Sequence, residues 1–128
     1  MTRSLLATIL VALLPLAQPT RTLGQDDILV NDFEARDYDD WKVEGSAFGT
    51  GPARGTLPNQ MQVTGFEGKG LVNTFLGGDS AKGTLTSPKF TIARDFMKFL
   101  IGGGGHEGKT CVNLIIDGEV VLSATGPN

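Results

Sequence analysis

Apolar residues follow two regimes along this chain. From Leu5 to Leu14 they run almost without a break, interrupted only by Thr8. Beyond residue 24 they come in short alternating segments separated by glycine, and no amphipathic helical period is sustained. The alternating segments predict strands at Ile28–Val30 (with Phe33 following), Trp41–Glu44, Gly70–Phe75, Gly83–Ser87 and Phe90–Ile92. Two further segments carry the strongest pattern. Phe96–Ile101 is almost wholly apolar, and Thr110–Ile116 puts Val112, Leu114 and Ile116 on one face. Asp117-Gly118 then turns the chain into Glu119–Leu122. Asp-Gly between two β-branched runs favours a type I′ hairpin turn, which needs positive φ at both central residues. The stretch from Gly45 to Gly65, with Pro52 and Pro58, is too long for an ordinary hairpin and predicts a wrapping loop.

Strands at this spacing predict an all-β fold, an antiparallel β-sandwich or jelly roll. A jelly roll uses about eight strands. The pattern falls short of that, and the last strand meets the end of the chain at Gly126-Pro127-Asn128, so the domain is expected to be incomplete at its C-terminus. An uncovered sheet edge is a liability that whole domains manage.

The first regime reads differently. Arg3, the apolar run and Pro15 have the order of a signal peptide, a helix preceding the sandwich. The run is short for a membrane span, which needs roughly 20 residues; an uncleaved anchor is the alternative. Cleavage is expected after Ala17 or Gly24. The resulting division is residues 1–24 as signal and 25–128 as the β domain, with a secreted location and no stable membrane span after processing. Loss of Arg3 and Arg21 leaves 9 basic residues against the 14 acids and moves the net charge from −3 to −5. An acidic chain of this kind is a poor partner for nucleic acid. Cys111, the single cysteine, cannot form an internal disulfide and is expected as a buried thiol on a strand; the alternative is pairing with a partner or with sequence outside this chain.

Gly103 to Thr110 matches the spacing of a phosphate-binding loop, G-x-x-x-x-G-K-[ST]. That loop works where backbone N–H groups at a helix start cradle phosphate. Here a β-branched segment follows Lys109 in place of a helix, so a turn between strands is expected and no nucleotide. His106 in that turn has only Glu107 beside it as a chemical partner.

Asp26, Asp27, Asp32, Glu34, Asp37, Asp39, Asp40 and Glu44 form an acidic cluster. Calcium takes oxygen ligands, and Asp32 and Glu34 are the candidate ligands for a structural calcium; the alternative is a solvated acidic face. Tyr38, Trp41 and Phe48 are the candidate sugar-stacking residues, with core packing the competing reading for Trp41. No Gly-x-Ser-x-Gly or His-Glu-x-x-His motif occurs.

A run of segments then resembles one family. They are Asp32-Phe33-Glu34, Asp40 to Gly49, Gly55-Thr56-Leu57-Pro58, Gly65 to Asn73, Gly83 to Pro88, and Phe99 to His106. Together they are similar to the β-sandwich that precedes the catalytic propeller in exported bacterial levanase-like proteins of glycoside hydrolase family 32. The resemblance covers nearly all of residues 25–128. It implies an accessory module with polysaccharide, fructan among them, or the parent catalytic domain as partner. The family's catalytic motifs do not carry over. Asn31-Asp32 is followed by Phe33, Arg94-Asp95 by Phe96, and no Glu-Cys pair exists. The alternative is a structural or protein-interaction sandwich with no sugar ligand.

Overall fold

The computed structural model describes residues 26–127. The expected signal segment, residues 1–24, lies outside them. The described residues contain strands and turns and no helix. The strands are β1 (Lys42–Gly45), β2 (Gly83–Thr86), β3 (Val112–Ile116) and β4 (Glu119–Ala124). The all-β expectation is met.

β1 and β2 pair antiparallel, Val43 opposite Leu85 and Gly45 opposite Gly83. The long excursion between them closes at its base, where Ser46 N–H donates to Lys82 O at 2.8 Å. It is pinched again at an isolated bridge, Ala53 N–H to Leu71 O at 2.9 Å and Leu71 N–H to Ala53 O at 3.0 Å. Beyond the pinch, Leu57-Pro58-Asn59-Gln60 forms a turn closed by Gln60 N–H to Leu57 O. Pro at its second position and Asn59 at φ 64° at its third fit a type II turn.

This loop is held by a pair of amides. Gln60 Nε2 donates to Asn73 Oδ1 at 3.0 Å, and Asn73 Nδ2 donates back to Gln60 Oε1 at 2.8 Å. Asn73 is buried, and its Oδ1 also takes the Phe75 N–H. That local bond competes with a ladder. The strand expected over Gly70–Phe75 is accordingly reduced to the single bridge at Leu71.

β3 and β4 form the expected hairpin. Asp117 and Gly118 have φ of 51° and 86°, the left-handed pair that a type I′ turn requires. Leu114 faces Leu122, but Ile115 faces Val120, so Val121 is an extra residue in β4, a β-bulge. The bulge puts Val120 and Leu122 on opposite faces. One face carries Val112, Leu114, Ile116 and Leu122 together with Glu119 and Ala124, and the other carries Ile115 and Val120 together with Asn113 and Ser123.

The two ladders do not touch each other. Each is a two-stranded sheet, and no two-layer sandwich forms between them among the described residues. Among the described residues, the segments expected as strands at Ile28–Val30, Phe90–Ile92 and Phe96–Ile101 join no ladder. An apolar segment becomes a strand only when a neighbouring backbone takes its N–H and C=O groups. Among the described residues no such neighbour is present, and Phe96, Phe99 and Leu100 stand exposed. Cys111 is half-buried and sits one residue before β3. The thiol is more open than the expected buried one.

Among the described residues Tyr38 and Ala47 form the buried hydrophobic core, and the Phe33 ring packs against both Tyr38 and Trp41.

Candidate functional site

Phe33 stands edge-on to both Tyr38 and Trp41, at centroid distances of 6.4 Å and 5.3 Å. Edge-to-face rings at such spacing attract through their quadrupoles. Tyr38 is only 3% exposed, and its hydroxyl donates to Phe48 O at 3.0 Å. Burial raises its pKa. A ring in that position has no face open to a sugar, so Tyr38 is a core residue and not a stacking platform. Trp41 and Phe48 are half-buried. The structure thus brings Tyr38, Trp41 and Phe48 close together, but around a small core.

The acidic run serves the backbone. Asp32 Oδ1 accepts the Glu34 N–H and Asp37 Oδ1 accepts the Asp39 N–H, each two residues on. Asn31 Oδ1 does the same for Phe33. These are Asx turns, the local geometry for which Asp and Asn are favoured.

Glu34 reaches much further. Its Oε1 accepts the N–H groups of Lys69 at 2.6 Å and Gly70 at 2.8 Å. Its Oε2 lies 3.7 Å from Arg54 Nη1. Arg54 Nη2 in turn donates to Glu34 O and Ala35 O at 3.0 and 2.8 Å. One carboxylate therefore ties the acidic segment to both strands of the long excursion. The Gly70 and Lys69 N–H bonds hold the Glu34 carboxyl below its ordinary 4.5, against an opposing effect of burial that is smaller than either bond, and the Arg54 and Lys69 charges add lesser help.

Gly70 is buried at this latch, and a Cβ there would overlap Phe33 O. No sequence signal linked Glu34 to Arg54, Lys69 and Gly70, since the partners lie tens of positions away. The glycines around Lys69 marked a tight place without saying what fills it.

The Glu34 carboxylate already accepts two N–H groups and lies beside the Arg54 guanidinium, whose positive charge would oppose a cation there. Among the described residues no three His, Cys, Asp or Glu side chains converge as a metal site.

The glycine-rich loop is a turn. His106 O accepts the N–H groups of Lys109 and Thr110, and the chain then enters β3. Thr125 Oγ1, 2.7 Å from Thr110 O and 3.1 Å from Gly104 O, ties the loop to the end of β4. The helix that a phosphate loop needs is replaced by a strand.

The β1–β2 ladder bears a shallow, open depression lined by Glu44, Gly45, Lys82, Gly83 and Thr84. The larger feature is apolar surface. On the β3–β4 hairpin, Val112, Ile115, Ile116, Val120, Val121 and Leu122 are all exposed.

Comparison with known proteins places the chain in context. It is 39% identical over 106 residues to a protein of Aspergillus rugulosus named "Putative glycosyl hydrolase ecdE". The match takes in 80% of this chain and 15% of that protein, so the chain spans under one-sixth of its relative's length. No described protein family and no solved structure matches it.

Proposed function

We propose that this chain is a secreted, non-catalytic accessory β module of a levanase-like glycoside hydrolase of family 32. Its role in that reading is to pack against the rest of the enzyme and brace it. The observation that carries the reading is the relationship to a much longer protein named a glycosyl hydrolase. The exposed apolar residues support a packing role, since they need a cover that the described residues do not provide. A jelly roll completed by that larger protein is the fold the reading implies.

A second reading, retention of polymeric carbohydrate such as fructan, draws on Trp41 and Phe48, whose rings are half-open to solvent.

Two assays separate these readings. Purified chain incubated with levan and inulin is expected to release no sugar, and measurable release overturns the accessory reading. Retention on immobilised levan or inulin, lost in Trp41→Ala, establishes the second reading. Passage through both columns removes it. Secretion is tested by sequencing the N-terminus of exported protein: a start at residue 18 or 25 is expected, and a start at Met1 overturns it.

A further inference from the structure

Arg94 holds the chain just after the expected signal segment. Its Nε and Nη2 donate to Asp26 O at 3.3 Å and 2.9 Å, and its Nη1 donates to Ala93 O at 2.8 Å. Residues 26–30 are exposed throughout. The backbone at Asp26 is thus fixed at its carbonyl and open to solvent. The residue joined to it is Gln25. Cleavage after Gly24 makes Gln25 the first residue, and cleavage after Ala17 makes Gln18 the first. The chain has four glutamines, Gln18, Gln25, Gln60 and Gln62, and two of them stand at the two places where a new N-terminus is expected.

From that coincidence we propose that the mature chain begins with a pyroglutamyl residue, made from Gln25, or from Gln18 where cleavage follows Ala17. This rests on the secretion reading. The step needs no oxidant, cofactor or second substrate. The free α-amine of the glutamine attacks its own side-chain amide carbon, Cδ. The N–Cδ bond forms and closes a five-membered lactam, the Cδ–Nε2 bond breaks, and ammonia leaves with the proton that the amine gives up. An α-amine titrates at about 7.7–8.0, so part of it is the free nucleophile near neutral pH. The open backbone at Asp26 also leaves a Gln25 start within reach of a cyclising enzyme. The lactam nitrogen is no longer basic. One positive charge disappears beside Asp26 and Asp27, and an exopeptidase that requires a free α-ammonium has nothing to grip.

The test uses the full chain, expressed with its own leader in an exporting host and recovered from the medium. Intact mass is measured before any digestion, and the N-terminal peptide is then sequenced by tandem mass spectrometry. Most of the recovered chain is expected to be one ammonia lighter than its residues require, with the loss mapped to the first glutamine. Gln18→Asn and Gln25→Asn, combined in one chain, are expected to abolish that loss, because asparagine is one methylene shorter and would have to close a four-membered ring. Pyroglutamyl aminopeptidase is expected to release the first residue from the denatured parent and nothing from the double variant. An unmodified glutamine at the N-terminus overturns the inference and leaves secretion in place. So does a mature chain whose first residue is not glutamine. An ammonia loss that persists in the double variant lies elsewhere in the chain and overturns the assignment. A chain still beginning with Met1 overturns the secretion reading, and the inference with it.

Discussion

Glu34 and Gly70 are joined by a hydrogen bond of 2.8 Å, from a backbone N–H to a carboxylate far away in sequence. The same oxygen takes the neighbouring Lys69 N–H. Because ionised Glu34 is favoured by folding, its folded pKa lies below the ordinary 4.5. The stabilisation is fully present above that value and is lost as pH falls through the folded value. Glu34→Gln is expected to lower the melting temperature at neutral pH and to flatten the acid limb of the stability curve. Thermal melts across the acid range check this; parallel curves for the two proteins refute it.

Gly70→Ala should be more damaging than an ordinary glycine substitution. The added methyl group meets Phe33 O and lies 3.0 Å from Arg54 Nη1. Backbone cannot step aside cheaply, so a loss of about 1–3 kcal/mol is expected. Urea unfolding should show a lower midpoint with an unchanged slope. A midpoint equal to that of the parent would mean the close approach is absent.

Tyr38→Phe removes only the hydroxyl that serves Phe48 O. The expected loss is about 1 kcal/mol, measured by denaturant titration. Tyr38→Ala empties the small core and should cost about 3–5 kcal/mol. If Tyr38→Phe instead abolished retention on a polysaccharide column at unchanged stability, the buried placement would be refuted.

Calcium is expected to leave the melting temperature unchanged, as is its removal by a chelator. Glu34 is already held by N–H donors and by Arg54. A binding ion would raise the midpoint with concentration, because a ligand of the folded state stabilises by mass action. Such a rise would restore the metal reading for Asp32 and Glu34.

Local chemistry was legible in the sequence and distant pairing was not. Asp117-Gly118 announced the β3–β4 hairpin, because the turn's φ demands are met by the two residues themselves. The Gly83–Ser87 and Trp41–Glu44 segments lie within about a residue of β2 and β1. Phe96–Ile101 failed as a strand for the opposite reason. Its composition records a need for burial, and only a partner can turn that need into a ladder. The acidic run was ambiguous because an Asp that caps its own backbone reads the same as an Asp awaiting a cation. The bulge at Val121 was invisible to alternation, which would place Val120 and Leu122 on one face.

The reciprocal amides of Gln60 and Asn73 make the wrapping excursion a closed lap with a matched lock. Each amide offers the other both a donor and an acceptor, so neither can be exchanged alone without setting like dipoles against each other. Drift among related chains should therefore fall freely on the exposed residues between them, such as Met61, Gln62 and Thr64. At the two amide positions it should fall jointly or not at all.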